Sequence, residues 1–590
     1  MKMKSLYMAI PLLITVGCSD DNTIGSQYIN AEVLNPVIQL TIGFNLSLST
    51  DRVNYRPGQE VTFTAEGTLP TNAKVRYRHG FDIVGEQDLI ANTWTWTPTA
   101  TDYQGYMAEV YTQEGSNAET IHATIAVDVS SDWAKFPRYG FVSDYDASKT
   151  EDVIKSEMAY LNRCHINGIQ YYDWLYKHHQ PLGGTPDNLL AEYKDLANRP
   201  VLTSVIKGYI KEQKRLGMKT MFYNLCFGTL DDAQQDGVNE KWGIYTDQNH
   251  RKQDKHDLPS SWKSDIYLVN PGNKEWQEYL IKRNADVYTS FDFDGFHIDQ
   301  LGSRSNTYDY YGGKVNLPEG YASFINAMKE ANQDKRLVMN AVSSYGQSNI
   351  ASTGKTDFLY NEVWGNETRF TNLHDIIRNN AVYSRGQKAT VFAAYMNYES
   401  KSATFNEPGI LLTDAVMFAL GGSHLELGSH MLCSEYFPNT SLQMSESLKQ
   451  AIIRYYDFLT AYQNLLRDGG TEVVADIVSG RPEVTLATWP PRMGVVTTYA
   501  KNVGNKQVVH LLNFKDANSL SWRDLDGSMP EPNEIKNLTL RAKAGDVKRV
   551  WVATPDSLAG AVQQLTFRQE GDYVVFTVPT LKYWTMVVIE

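Results

Sequence analysis

Apolar and polar residues alternate along this chain in two rhythms, and the change between them divides it. From about residue 38 to 131 the period is two. Val61, Phe63 and Ala65 alternate with polar neighbours after the Arg56-Pro57-Gly58 turn, and Ile121, Ala123, Ile125, Val127 and Val129 do so over a longer run. Period two marks a strand with one buried face, and short strands parted by turns predict an immunoglobulin-like β-sandwich. After Asp132 short apolar strands alternate with helical patterns, the sign of a parallel α/β domain. Eight strand candidates occur: Tyr139–Tyr145, Ile169–Trp174, Thr220–Phe227, Gly295–Gln300, Leu337–Val342, Phe358–Trp364, Thr390–Asn397 and His424–Leu427. Amphipathic stretches lie between them, such as the one carrying Trp276, Leu280 and Val287. Eight such units over residues 132–470 predict a (β/α)8 TIM barrel with loop insertions, the longest at about 228–270. From about 471 to 590 period two returns, in Val508 to Leu512 and Tyr573 to Val578, and predicts a C-terminal β-sandwich.

The first residues read as targeting rather than structure. Lys2 and Lys4 precede an apolar run, Leu6 to Val16, that is too short to span a bilayer. The run ends at Thr15-Val16-Gly17-Cys18, which resembles a lipoprotein processing site with Cys18 lipidated; Ser19-Asp20-Asp21 resemble a surface-export signal. Residues 1–18 are therefore expected to be a signal peptide and 19–37 a tether. The expected location is the outer membrane or cell surface of a Gram-negative bacterium, with periplasm or secretion as alternatives. Cys164, Cys226 and Cys433 are widely spaced and odd in number, so neither a disulfide framework nor a Cys-type zinc site is expected.

Composition narrows the function. A net charge of −13 argues against nucleic acid, which needs clustered positive charge. Aromatics reach 12%, including 36 Tyr and 12 Trp, which suits sugar-binding clefts but also strand-rich sandwiches.

A TIM barrel carries its chemistry at the C-terminal ends of its strands. The fourth strand reads Gly295-Phe296-His297-Ile298-Asp299-Gln300; alternation turns His297 and Asp299 inward and Phe296 and Ile298 toward the helices. The sixth strand places Glu362 at matching height. Either acid alone reads as a cap or a salt-bridge partner. Two acids at one barrel mouth read as the carboxylate pair of a glycosidase, whose spacing decides between retention and inversion. A metal reading competes: His297-x-Asp299 is one potential ligand pair, and His424, Glu426 and His430 cluster at the eighth strand. Further His ligands from other strands are lacking, so no metal or other cofactor is expected. His297 and His430 are read as hydrogen-bond donors to substrate or carboxylates. Tyr172, Asp173, Trp174 with His178, Tyr223, Asn224, Trp364 and Tyr395 to Asn397 form a candidate sugar-binding rim, to which Glu426 is added.

Longer runs carry a resemblance. Tyr172-Asp173-Trp174, Gly295 to Gln300, Asn361-Glu362-Val363-Trp364, Phe405-Asn406-Glu407-Pro408, Thr413-Asp414-Ala415, Gly421 to Gly428 and Glu435-Tyr436-Phe437-Pro438-Asn439 resemble family sixty-six of the glycoside hydrolases. That family holds endo-dextranases and cycloisomaltooligosaccharide glucanotransferases. The resemblance covers the whole expected barrel and the order of domains. It implies retaining cleavage of α-1,6-glucosidic bonds in dextran and isomaltooligosaccharides, with Asp299 as nucleophile and Glu362 as acid/base. It also implies that Tyr172, Asp173, Tyr223 and Asn224 lie near the reactive glucose. The cyclising enzymes carry a carbohydrate-binding module after the seventh strand; about 26 residues between Asn397 and His424 leave no room for one. Endo-hydrolysis is therefore expected. A cyclising glucanotransferase, an α-glycosidase of other linkage and a non-catalytic surface glycan-binding lipoprotein are the alternatives. No membrane contact is expected beyond the lipid anchor.

Overall fold

A computed structural model describes residues 32–434 and 442–590. The expected signal peptide with Cys18, the tether as far as residue 31 and the run Glu435 to Asn439 lie outside the described residues.

The middle of the chain is a TIM barrel. Its strands are β1 Tyr139–Val142, β2 Gly168–Tyr171, β3 Lys219–Leu225, β4 Gly295–Asp299, β5 Arg336–Val342, β6 Leu359–Val363, β7 Thr390–Ala394 and β8 Ser423–Leu425. They pair in parallel in that spatial order. Each of the eight expected strands is present at its expected place. Between and after them run α1 Glu151–Arg163, α2 Thr203–Leu216, α3 Lys274–Ser290, α4 Leu317–Ala331, α5 Gln347–Ser352, α6 Phe370–Ser384, α7 Glu407–Ala419 and α8 Glu446–Ala461. Local chemistry sets their ends. Asn273 and Ser445 accept from the first-turn amides of α3 and α8, and Gly217 stops α2 in the left-handed conformation.

The barrel closes where the end of β8 meets β1. The Phe141 amide donates to the Leu427 carbonyl at 3.2 Å, and the Ser429 amide donates to the Phe141 carbonyl at 3.2 Å. Gly428 permits this approach, because a Cβ there would stand 2.4 Å from the Phe141 oxygen. Inward-facing side chains, among them Tyr139, Met221, Val338, Tyr360, Val391 and Leu425, fill the interior. The floor is thus packed, and the few polar side chains within it are bonded to one another, Tyr139 to His297 and Gln170 to Tyr360.

Sandwiches flank the barrel on both sides. The N-terminal one sets a five-stranded sheet beside a three-stranded sheet, with Phe63 stacked on Trp94 at 5.3 Å in its core. The C-terminal one is built from seven- and four-stranded sheets. Residues 34–37, at the end of the stretch read as a tether, bond along the C-terminal sandwich: the Leu34 amide donates to Thr577 Oγ1 at 2.9 Å and that of Val37 to the Gln564 carbonyl at 3.0 Å. Among the described residues no helix is long and apolar enough to cross a membrane.

Buried charge joins the N-terminal sandwich to the barrel. Asp457 on α8 accepts from Arg163 at 2.9 and 2.8 Å, from His165 at 2.7 Å and from the Ala126 amide at 2.8 Å. Replacing one partner of such a group leaves the others buried and unmatched. Asp457→Ala is expected to cost roughly 3–5 kcal/mol of stability, read as a lowered denaturant midpoint. An unchanged midpoint would show that this junction does not hold the two domains together.

Candidate active site

Six strands send a side chain, at or just past their C-terminal ends, into one polar layer at the mouth. Phe296 and Ile298 of β4 pack outward into the helical shell, so His297 and Asp299 point in. On β6 Tyr360 and Glu362 face in, while Asn361 turns out and accepts from Gln347 of α5 and Asn380 of α6, each at 2.8 Å. From β5 comes Asn340, from β3 Tyr223, and just past the ends of β2 and β7 come Tyr172 and Tyr395.

Asn340 organises the layer. Its side-chain nitrogen donates to Asp299 Oδ1 at 2.8 Å and to Glu362 Oε2 at 2.8 Å. Both oxygens are tied to one nitrogen, so they can be no further apart than twice that length; the roughly 120° between the two N–H bonds of an amide sets them about 5 Å apart. The remaining oxygens are also held. Tyr223 donates to Asp299 Oδ2 at 2.7 Å and Tyr395 donates to Glu362 Oε1 at 2.5 Å.

Both carboxyls keep some surface open to the mouth but are otherwise enclosed by protein. This desolvation raises each above the ordinary carboxylate range. For Asp299 it is opposed by the donors Tyr223 and Asn340 and the Gln300 amide. Glu362 is pushed up to about 7, first by burial and then by the charge of Asp299, against the pull of Tyr395, Asn340 and Trp364. Across the mouth Asp173, in the left-handed conformation at φ 50°, is pushed up to about 7 by burial despite Arg199 at 4.0 Å.

The structure sorts the expected rim residues into two groups. Tyr172, Tyr223, Asp173 and Trp364 gather round the carboxyls: Tyr172 packs on Tyr223 at 4.7 Å, and Trp364 on Tyr395 at 5.0 Å. His178 and Asn224 form a buried pair, Nδ1 to Oδ1 at 2.9 Å, just behind Tyr223. His430 sits half-buried against Phe141 at 5.2 Å.

Four more of the expected sugar contacts are, like the His178–Asn224 pair, enclosed in this structure and bonded or packed to protein partners. Trp174 packs among Phe222, Phe291 and Phe293 and gives its indole N–H to the Tyr223 carbonyl at 3.0 Å. Asn397 spends its amide on Asp524 and its oxygen on the Asn406 N–H. Glu426 is buried beside His424 and Tyr456. His297 lies one layer below the mouth, bonded to Tyr139 at 3.1 Å and packed against Tyr360, and burial drives it down to about 3, hence neutral. Alternation gave the right faces but not the depth at which each side chain stops.

Two groups of ligand-type residues lie close together among the described residues: His179, Asp232, Asp236 and Asp414, His424, Glu426. In the first, the Lys177 ammonium sits 2.7 Å from both aspartates and supplies the positive charge. In the second, Asp414 replaces the expected His430. Burial opposes the charged imidazole, yet Glu426 and Asp414 hold His424 well above its ordinary value, so a proton already serves these acids.

A model of glycosyl hydrolase family 66 matches residues 50–588. The chain belongs to this family. This glycoside hydrolase is 27% identical to a cycloisomaltooligosaccharide glucanotransferase of Niallia circulans, over 93% of this chain and 72% of that protein. It is 23% identical to a dextranase of Streptococcus salivarius, over 87% of this chain and 72% of that one. The crystal structure of a Paenibacillus sp. cycloisomaltooligosaccharide glucanotransferase with cycloisomaltoheptaose superposes with a TM-score of 0.84 at 26% identity, covering 93% of this chain and all of that one. The family and fold read from the sequence are therefore as expected.

Asn340 was missed. Its signal was a polar residue at an inward-facing position near the end of an otherwise apolar strand. Asn340→Ala removes a donor from both carboxyls and frees their spacing, and is expected to lower kcat/KM on the enzyme's glucan substrate about 100-fold with the fold intact. A loss of less than threefold would show that the bridge does not matter to the reaction.

Proposed function

We propose that this family 66 enzyme cleaves α-1,6-glucosidic bonds within dextran by double displacement, with Asp299 as nucleophile and Glu362 as acid/base. The observation that carries the reading is the Asn340 bridge. A spacing of about 5 Å suits attack by one carboxylate on the anomeric carbon and leaves no room for the water that inversion requires. Aspartate starts from the lower ordinary value, and two side-chain donors with the Gln300 amide favour its anion. Glu362, raised to about 7, keeps the proton that the leaving oxygen needs and then serves as base for water.

The substrate class rests on the relatives, a dextranase and glucanotransferases of isomaltooligosaccharides. Hydrolysis is favoured over cyclisation by what separates β7 from β8, which is α7 and short connections with no space for a further module. The alignments run over 713 residues for the glucanotransferase and 601 for the dextranase, covering 93% and 87% of the 590 residues of this chain. Both relatives therefore carry segments that this chain lacks, and the glucanotransferase carries more of them. We also infer lipidation at Cys18 and a surface location, which a labelled fatty acid would test by its incorporation into the native chain but not into Cys18→Ser.

Asp299→Asn and Glu362→Gln are each expected to abolish dextran cleavage while circular dichroism stays unchanged. Azide is expected to restore turnover to Asp299→Gly and Glu362→Ala with products of opposite anomeric form. Near-normal activity in either conservative variant refutes the assignment. The pH dependence follows from the same pair. Activity needs Asp299 ionised and Glu362 protonated, so kcat/KM falls on the acid side through a value above the ordinary range for aspartate. It falls again as pH rises past about 7. A plateau extending beyond pH 9 would remove Glu362 from the role of acid.

A further inference from the structure

The connection from 514 to 534 links two strands of the C-terminal sandwich, yet its middle lies on the barrel mouth. Backbone bonds run along it. The Asn397 amide donates to the Arg523 carbonyl at 3.0 Å, that of Glu399 to Leu525 at 2.9 Å, and that of Trp522 to Thr368 at 3.0 Å. The segment is therefore pinned to the chain leaving β7 and to the chain leaving β6. These two stretches carry Tyr395 and Trp364, the neighbours of Glu362.

The docking is built rather than incidental. Asp524, at φ 41°, accepts from the Ser528 and Met529 amides at 2.9 Å each and from the Asn406 side chain at 2.7 Å. Thr413 Oγ1 donates to the Trp522 carbonyl at 2.9 Å, and the Trp522 indole donates to the Glu367 carbonyl at 2.6 Å. Gly409 has no Cβ where one would stand 2.2 Å from Asp524 Oδ2. Asn406, Gly409 and Thr413 fall in or beside the Phe405–Pro408 and Thr413–Ala415 runs, to which sequence reading assigned no task. Their task here is to seat this loop.

Arg523 is the side chain that reaches the site. It is buried, its Nε donates to the Tyr395 carbonyl at 3.2 Å, and its guanidinium lies 5.9 Å from the Trp364 ring centroid and 5.3 Å from that of Tyr398. Resting on the reading of Glu362 as acid/base, we propose that Arg523, supplied by the C-terminal domain, is a positioning residue that fixes Tyr395 and Trp364 around Glu362. Tyr395 stands just past the end of β7, beyond Ala394, the last residue of that strand paired with β6. The bond from Arg523 to its carbonyl anchors this position and helps set where the hydroxyl points. The planar guanidinium also fills the space between Trp364 and Tyr398 that a smaller side chain would leave open.

The test is a double-mutant cycle on the full chain. Tyr395→Phe removes the donor to the Glu362 carboxylate, so the alkaline limb of kcat/KM moves to higher pH. Arg523→Met is expected to move that limb in the same direction, to lower kcat about tenfold, and to change KM less than twofold. The double variant should fall no further than Tyr395→Phe alone. Arg523→Lys, which keeps charge and an N–H but not the planar fork, should lie between wild type and Arg523→Met, and it carries the test if Arg523→Met misfolds by circular dichroism. Wild-type limbs in both Arg523 variants, or losses that add to that of Tyr395→Phe, overturn the proposal. Glu362→Gln is assayed beside them. If it is active, the acid/base reading fails and the proposal with it; if it is inactive and the Arg523 variants behave as wild type, only the positioning role fails.

Discussion

The amide nitrogen of Asn340 stands 2.8 Å from an oxygen of Asp299 and 2.8 Å from an oxygen of Glu362. Two negative charges about 5 Å apart, at an effective dielectric of about 20, repel by roughly 3 kcal/mol. That is more than one pKa step is worth, so near neutrality one carboxyl of the pair keeps its proton. The bridge thus does two things at once. It holds the acids at a fixed spacing, and at that spacing the charge of Asp299 adds to burial, the larger cause, in keeping the proton on Glu362. An acid and a nucleophile thus arise from two chemically similar side chains.

Everything around the pair limits its freedom. Tyr223 and Tyr395 occupy the oxygens that Asn340 does not, and rings from other strands stand under them: His297 packs on Tyr360, and Tyr139 bonds to His297. A packed floor prevents the mouth from collapsing inward when the cleft is empty. The glycines at 428 and 409 serve the same end from outside, by letting β8 close on β1 and letting the C-terminal domain approach α7.

The flanking domains are parts of this frame. Asp457 ties the N-terminal sandwich to the helical shell. On the other side α7 is buried along nearly its whole length between barrel and C-terminal sandwich, its apolar residues packed and its two buried polar ones, Thr413 and Asp414, bonded to Trp522 and His424. The segment around Arg523 continues that interface up to the mouth. A barrel cut free of the C-terminal domain would keep its carboxylates but lose the contacts that hold the chain after β7.

Period-two and helical patterns were enough to count eight strands, to place a sandwich on each side and to turn Asp299 and Glu362 inward, because alternation is a local property of the backbone. Motif runs were enough to name the family. Depth was not legible: Trp174, Asn397, Glu426 and His297 sit at strand ends like true rim residues, yet tertiary packing closes over them. Asn340 was legible only in part, as a polar break in an apolar strand whose meaning depends on what stands on both neighbours. Arg523 was not legible at all, since more than a hundred residues separate it from Tyr395 and no local pattern reports a contact made across domains. The sequence by itself determined which acids face the mouth. Only the tertiary structure decided how far apart they stand and what holds them there, because distance between strands is set by closure and packing of the whole barrel.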